Sequence, residues 1–327
     1  MNDYSASELM QIITGYQRSR IILSAVELNI FDQLSVNELS SSELAAKINA
    51  VPASLEKLLN VLASLNLLVK KHTKFSNSAS SAKFLVKSSP DFLGGVMHQN
   101  HLWDTWSKLS EVVKSKDAKK KSDINQSGDE WLKAFIAAMH ARGISRAKSV
   151  KTLIDFTGVN RILDIGGGSG VFASTFIKDD ASMSAVIFDL PNVVPITREY
   201  IDKDNMSERI STLSGNYIID DIGSGYDLIF LSAVIHSNSY DENALLIKKC
   251  ASALNRNGKI AILDYIMNDD RTSPIGGAIF AINMLVGTDE GTTYTETEIK
   301  EWMSVAGLKD FSLINAGEGN GLLIGGN

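Results

Sequence analysis

A glycine-rich turn directly after a short apolar strand constrains this 327-residue chain more than any other feature. The segment reads Arg161-Ile-Leu-Asp-Ile-Gly-Gly-Gly-Ser-Gly-Val171. Its apolar residues predict a strand that ends near Asp164, and Gly166, Gly168 and Gly170 follow at spacings of two. The Gly-x-Gly-x-x-Gly pattern of dinucleotide folds places its third glycine one position later. Glycines here let the backbone turn sharply and lie against a ligand, because no Cβ stands in the way.

The acid at the start of this turn indicates the charge of the ligand. Asp164 would repel a pyrophosphate and attract a cationic amino group. S-adenosylmethionine carries such a group.

Composition favours a small-molecule partner. Hydrophobic residues make up 44% of the chain, which is typical of a globular protein with a sizeable core. A net charge of −6 and a pI near 5.5 argue against nucleic acid or an anionic membrane as the main partner. The longest apolar run, around residues 276–287, is too short to cross a bilayer.

Cysteine and histidine usage argues against a disulfide or a metal centre. The single cysteine, Cys250, excludes an internal disulfide and a cysteine metal cluster, and we expect a buried thiol on a helix. His98 and His101 could share a helix face, but a metal pair is not expected there. Without a recognisable secretory signal, a cytoplasmic location is expected.

The first third of the chain has helical periodicity, from Ser7 to about Ser110. Ser40 and Glu43 predict a capping box at the start of a helix. A second helix is predicted after Pro52, with one face formed by Leu55, Leu58, Leu59, Leu62 and Leu65. A polar, hairpin-like stretch around 70–76 follows, so the pattern predicts a helix-turn-helix with a small wing.

A winged helix has two interpretations, a DNA-binding module or a module that pairs subunits. The predicted recognition helix offers only Lys57 as a cation, beside Glu56, whereas DNA-binding helices cluster Lys and Arg. We therefore favour dimerisation. The lysine-rich segment Lys114–Lys121 is predicted to be a solvated loop.

After Arg161, short apolar runs alternate with helical stretches. The alternation predicts a parallel, doubly wound sheet that binds ligands at the carboxyl ends of its strands. Asp189 closes the second strand, 19 residues beyond Gly170, where an acid can accept both hydroxyls of a ribose. The alternative is a turn aspartate before Pro191.

Several motifs in order resemble one enzyme family. They are Leu163-Asp-Ile-Gly-Gly-Gly-Ser-Gly170, Phe188-Asp-Leu-Pro191, Ser214-Gly-Asn-Tyr217 and Ser232-Ala-Val-Ile-His236, after a leucine-rich N-terminal module. Together they resemble the S-adenosylmethionine-dependent O-methyltransferases of the plant caffeate and bacterial natural-product type. The resemblance covers nearly the whole chain.

The resemblance implies a general base. His236 follows the apolar run Leu228–Ile235, and the matching histidine of the family activates the substrate hydroxyl for attack on the sulfonium methyl. An imidazole suits this role because its ordinary pKa, near 6.5, leaves it mostly unprotonated at pH 7. The alternative is a strand-end histidine satisfied by backbone groups.

The resemblance also implies a partner for that base. Asp264 ends the predicted strand 259–264, where the family has an acid, usually Glu, that orients the histidine. An aspartate that caps the following turn is the alternative. Thr293 stands where plant members carry a second Glu.

The cofactor-binding set combines the glycine turn with matching family positions. It comprises Asp164, Gly166, Gly168, Gly170, Asp189, Leu190, Asn216, Tyr217 and Ser232. Asn216 replaces the family's usual Asp at the adenine, and Tyr217 offers a ring for stacking. His236-Ser-Asn238 replaces His-Asp-Trp, so an aromatic wall is missing and modest cofactor affinity is expected.

By position, the acceptor pocket implied by the resemblance is lined by Phe135, Met139, Phe280, Asn283 and Met284. The alternative is that these residues belong to the hydrophobic core and contact no substrate.

The sequence thus predicts an α/β chain with a Rossmann-like, doubly wound methyltransferase domain behind a mainly helical, winged-helix dimerisation domain. The expected divisions are 1–110 for dimerisation, 111–150 for a linker and substrate-lining helices, and 151–327 for the catalytic domain. The expected activity is methyl transfer from S-adenosylmethionine to a hydroxyl, expected phenolic, of a small aromatic or polyketide-like metabolite by a homodimer. Two alternatives stay open: a methyltransferase fold repurposed for non-methylating chemistry, and a ligand-sensing DNA-binding regulator.

Overall fold

The computed structural model describes residues 3–115 and 129–327. It divides into two compact units, Met1–Asp104 and Thr105–Asn327. Most of the segment predicted to be a solvated loop, Lys114–Lys121, lies outside the described residues. The three-part division expected from the sequence stays a prediction.

The first unit is mainly helical. Its elements are α1 (Ala6–Thr14), α2 (Tyr16–Glu27), α3 (Ile30–Gln33), β1 (Leu39–Ser40), α4 (Ser41–Ile48), α5 (Pro52–Ser64), β2 (Leu68–Lys71), β3 (Lys74–Asn77) and α6 (Ala79–Phe84). Helix α7 (Gly95–Trp106) runs across the boundary to the second unit.

The predicted helix-turn-helix with a wing is present in the first unit. Ser40 caps α4, and Ser40 and Glu43 make both hydrogen bonds of the predicted capping box. Helix α5 buries Leu55, Leu59 and Leu62, which lie on one face because they recur every three or four residues. Strands β2 and β3 form the wing hairpin, and β1 pairs with the outer side of β3.

The second unit alternates strands and helices. Its elements are α8 (Leu109–Lys114), α9 (Asp129–Lys151), β4 (Arg161–Ile165), α10 (Val171–Ile177), β5 (Ser184–Asp189), α11 (Val194–Lys203), β6 (Ile210–Ser214), β7 (Tyr226–Ser232), α12 (Tyr240–Ala253), β8 (Leu254–Asp264), β9 (Ile266–Met267), α13 (Ile275–Gly287), β10 (Tyr294–Thr295), α14 (Glu296–Val305), β11 (Lys309–Gly317) and β12 (Asn320–Gly326).

The main sheet has the strand order β11-β12-β8-β7-β4-β5-β6. The five strands from β8 to β6 are parallel, so their carboxyl ends share one edge of the sheet. Buried apolar clusters cover both faces, as expected for a parallel sheet. Every residue of β4 after Arg161 is buried for this reason. The predicted α/β architecture is confirmed.

The final hairpin runs against the parallel strands. Strand β12 pairs antiparallel with both β8 and β11. A short turn joins β11 to β12, with Gly317 and Gly319 at φ values of 80° and 76°. A connection this short permits only antiparallel pairing.

The predicted thiol on a helix is also observed. Cys250 lies fully buried on α12, and burial raises the pKa of its thiol to about 12. No helix among residues 3–115 and 129–327 is long and apolar enough to span a membrane.

Candidate active site

The glycine turn between β4 and α10 has a left-handed backbone. Gly168 and Gly170 have φ values of 56° and 73°, a region that L side chains rarely adopt. A Cβ at Gly170 would overlap the Ile187 side chain, so this glycine is needed for packing. A Cβ at Gly168 would meet nothing closer than Ile136 Cδ1, at 3.7 Å, so a ligand has steric room beside this residue.

Asp189 ties the end of β5 to this turn. Its Oδ2 accepts a hydrogen bond from the Gly168 amide, and its Oδ1 accepts one from the Leu190 amide, both at 2.8 Å. Burial raises the pKa of Asp189, and these two hydrogen bonds act in the opposite direction. A carboxylate has about four lone-pair sites, so it can still accept further donors.

Asp164 lies beneath the turn. Its side chain is almost fully buried, and Oδ2 has no hydrogen-bond partner in the described part of the chain. A Cβ at Gly167 would come within 2.8 Å of that oxygen. Burial, with a smaller contribution from Asp189, raises the pKa of Asp164 to about 7.

His236 and Asp264 meet at the ends of two neighbouring strands. Strand β7 ends at Ser232, earlier than the apolar run suggested, because Ala233 takes a left-handed φ of 57° and the chain enters a 3₁₀ helix, Ile235–Ser237. His236 Nδ1 then lies 2.8 Å from Asp264 Oδ1 and 3.0 Å from Oδ2.

The His236–Asp264 pair is largely shielded from solvent, with side-chain exposures of 12% and 2%. A carboxylate accepts hydrogen bonds, so it favours the tautomer with the proton on Nδ1 and leaves Nε2 as the basic atom. The Tyr265 amide also donates to Asp264 Oδ1, at 2.8 Å, which further positions the carboxylate.

The loop after β6 engages most of its own polar groups. Asn216 Oδ1 accepts a hydrogen bond from the Ile218 amide at 2.9 Å. The Tyr217 hydroxyl donates to Asn238 Oδ1 at 3.0 Å, and burial raises the pKa of Tyr217 to about 12. Because this oxygen is engaged, the exposed Asn216 side chain would bind a ligand through its amide nitrogen, as a hydrogen-bond donor.

The residues predicted to line an acceptor pocket fall into different environments. The Phe280 ring contacts His236 edge-on, with centroids 4.8 Å apart, and Asn283 Oδ1 accepts from Trp106 Nε1 at 3.0 Å. Met284 is buried. Phe135 stacks on Trp131 at 5.2 Å, while Met139 is half-buried on α9. The structure brings Phe280 to the base.

Sequence reasoning did not single out two further polar residues, both on α9. His140 Nδ1 lies 2.9 Å from Ser169 Oγ on the glycine turn, and burial lowers the pKa of His140. Burial also lowers the pKa of Arg146, while Glu318 and Asp264 act in the opposite direction. The only signal was helical spacing on α9, since His140 follows Met139 and Arg146 lies two turns beyond it.

Comparison with known families identifies the chain. A profile of the O-methyltransferase domain matches residues 120–309, more than half of the sequence, and a profile of the O-methyltransferase dimerisation domain matches residues 10–87. The chain belongs to the O-methyltransferase family.

Individual relatives cover nearly all of the chain. It is 27% identical to 3-hydroxy-5-methyl-1-naphthoate 3-O-methyltransferase of Streptomyces sahachiroi, over 92% of this chain and 89% of the relative. It is 26% identical to the tetracenomycin polyketide synthesis 8-O-methyl transferase TcmO of Streptomyces glaucescens, over 93% and 91%.

Solved structures agree with the fold. An O-methyltransferase family protein from Burkholderia thailandensis superposes with a TM-score of 0.88 at 26% identity, over 100% of this chain and 99% of that one. PigF, solved with SAH, gives 0.89 at 21% identity, over 99% and 100%. The predicted enzyme class and cofactor class, an O-methyltransferase that uses S-adenosylmethionine, are confirmed by the family.

Proposed function

We propose that this O-methyltransferase methylates a phenolic hydroxyl of a small, flat, aromatic or polyketide-like metabolite. His236 acts as the general base. The His236–Asp264 pair, at 2.8 Å, is the observation that carries the proposal. The naphthoate and tetracenomycin names of the two bacterial relatives support this class of acceptor.

The residues at the carboxyl edge of the sheet fit the cofactor. Asp164 keeps a buried carboxylate oxygen without a hydrogen-bond partner among the described residues, and such an oxygen suits a nearby cationic group. Gly168 leaves steric room for a ligand against the turn, and Asp189 retains acceptor capacity for ribose hydroxyls. Gly166, Gly170, Leu190, Asn216, Tyr217 and Ser232 complete the proposed binding set.

S-adenosylmethionine, when bound, would supply an electrophilic methyl group on its sulfonium, and loss of that methyl through the sulfur–carbon bond would leave S-adenosylhomocysteine. His236 Nε2 accepts the proton of the acceptor hydroxyl, so the oxygen gains nucleophilic character as the oxygen–methyl bond forms. Asp264 holds Nδ1 and stabilises the imidazolium that proton transfer creates. His236 then releases the proton to water. Phe280 packs against the imidazole edge and limits its rotation.

Methyl transfer with labelled cofactor tests the proposal on a panel of phenols. Wild type should yield products that gain one methyl group by mass spectrometry. His236→Ala should lower kcat about 10²- to 10⁴-fold, the range that general bases contribute. His72→Ala, at an exposed histidine between β2 and β3, is the matched control and should keep wild-type activity. Equal activity of His236→Ala and wild type would contradict the role of His236 as the general base.

We also propose that the protein is a homodimer paired through its first unit. Helix α1 buries none of its side chains against the described residues. Leu9, Met10, Ile12 and Ile13 are 45%, 55%, 60% and 61% exposed. Contiguous apolar exposure of this kind marks an interaction surface, and the match to a dimerisation-domain profile indicates a second copy of the chain.

A further inference from the structure

A buried chain of hydrogen bonds joins the loop after β6 to the turn that carries His236. The Tyr217 hydroxyl donates to Asn238 Oδ1 at 3.0 Å, and Asn238 Nδ2 donates to Asn243 Oδ1 at 2.9 Å. Asn243 Nδ2 in turn donates to the Ile235 carbonyl at 2.8 Å. The chain ends one residue before His236.

The direction of this chain follows from its last member. A backbone carbonyl only accepts, so Asn243 must present its amide nitrogen to Ile235 and its oxygen to Asn238. Asn238 must then donate to Asn243, which leaves its own oxygen to accept from Tyr217. No orientation of either amide other than this one satisfies all three contacts.

The network holds the backbone on both sides of the base. Asn243 holds the Ile235 carbonyl, and Tyr294 donates to the Asn238 carbonyl at 2.7 Å, two residues after His236. Asn238 is 6% exposed and Asn243 is fully buried. A satisfied polar network at this depth is rigid, because breaking one member leaves a buried polar group without a partner.

The loop at the other end is also held in place. Lys249 Nζ, on α12, donates to the carbonyls of Tyr217, Ile218 and Asp220 at 2.8, 2.9 and 2.8 Å. The Asp220 carboxylate accepts a hydrogen bond from the backbone amide of Asn216 at 2.7 Å. The Tyr217 hydroxyl is therefore presented from a fixed loop.

We propose that Tyr217, Asn238 and Asn243 are positioning residues for His236, which hold the base in register with the loop after β6. The proposal rests on the function proposed above. The network binds the backbone on either side of His236, whereas Asp264 contacts the imidazole ring. The network therefore fixes the backbone position of the base.

Tyr217→Phe and Asn238→Ala, singly and together, test the network. Tyr217→Phe removes one hydroxyl and keeps the ring. Tyr226→Phe is the matched control, because Tyr226 is also buried and its hydroxyl donates at 2.8 Å to the Ile222 carbonyl, outside the network.

At saturating cofactor, Tyr217→Phe should lower kcat about three- to tenfold, the effect of one lost hydrogen bond, with the acceptor KM unchanged. Asn238→Ala should lower kcat further, because it removes the hydrogen bonds to both Tyr217 and Asn243. The double variant should lose little more than Asn238→Ala alone, because that substitution already removes the partner of the Tyr217 hydroxyl. Tyr226→Phe should leave kcat unchanged, and combining it with Asn238→Ala should give the kcat of Asn238→Ala alone. Multiplicative effects of Tyr217→Phe and Asn238→Ala, or equal losses in Tyr217→Phe and Tyr226→Phe, would overturn the proposal.

Amide hydrogen exchange of the protein without cofactor provides a readout independent of activity. Exchange at residues 235–238 should accelerate in Tyr217→Phe and Asn238→Ala and stay at the wild-type rate in Tyr226→Phe. Unchanged exchange in the network variants would overturn the network itself. A wild type that transfers no methyl group would instead overturn the proposed function, and the exchange result would still decide the network.

Discussion

The Asp264 carboxylate accepts from both His236 Nδ1 and the Tyr265 amide, so its position is set from two sides. This double contact makes the residue sensitive to a change as small as one oxygen to one nitrogen. An amide at position 264 can donate to Nδ1, which would leave the proton on Nε2 and block proton acceptance there.

Asp264→Asn should therefore lower kcat about 10²- to 10⁴-fold, by analogy with the tautomer effect known in serine proteases. Steady-state kinetics with a phenol that wild type methylates would measure it. Asp227→Asn is the control, because Asp227 accepts backbone hydrogen bonds from Asn160 and Arg161 at the other edge of the sheet. Equal kcat losses in the two variants would contradict the role of Asp264.

Asp164 should make stability depend on pH. Its pKa is raised from 3.8 to about 7, so between these pH values the native state binds more protons than the unfolded state. Its favourable contribution is complete below the unfolded pKa and is lost as pH rises through the folded pKa.

From pH 5 to pH 8, the free energy of unfolding of wild type should fall by about 2 kcal/mol more than that of Asp164→Asn. Urea denaturation of both proteins at the two pH values would measure this difference. Parallel pH dependences would show that Asp164 is ionised throughout.

At the scale of elements, the β4–α10 connection determines how the glycine turn sits on the sheet. Gly170 precedes α10 with a left-handed φ, and a Cβ there would overlap Ile187 on β5. Helix α10 can approach the sheet this closely only because the position carries no side chain.

Gly170→Ala should lower the free energy of unfolding by about 1–4 kcal/mol, from backbone strain and overpacking together. Gly287→Ala is the matched control, since a Cβ at the end of α13 would meet nothing within 4 Å. Urea denaturation without cofactor compares the two. Equal stability of both variants would contradict the packing argument.

At the scale of the whole molecule, the apolar surface of α1 should govern assembly. Ile12→Glu with Ile13→Glu places two charges on that surface, and desolvating them would oppose pairing. The double variant should elute as a monomer, whereas wild type should elute as a dimer, by size-exclusion chromatography with light scattering. Val36→Glu, at an apolar residue that is 81% exposed in the same unit, should remain dimeric. A dimeric α1 variant would exclude this surface.

The sequence predicted elements best where periodicity or capping acts within a few residues. The capping box predicted from Ser40 and Glu43 is present at α4, and α5 begins at Pro52, as its leucine periodicity predicted. Strand β6 was not predicted, because Ile210-Ser-Thr-Leu-Ser214 contains only two apolar residues. It forms a strand through its parallel pairing with β5. The antiparallel direction of β12 also depends on its neighbours.

For the site, local sequence alone determined the glycine turn and the acids at the ends of β4 and β5, because strand ends and glycine spacing are short-range features. The pairing of His236 with Asp264 was expected only through the family resemblance, since 28 positions separate the two residues. Only the tertiary structure placed Asp164 beneath the turn and linked Tyr217 through Asn238 and Asn243 to Ile235. Burial and side-chain hydrogen bonds of this kind depend on which elements pack together, and no local pattern encodes that.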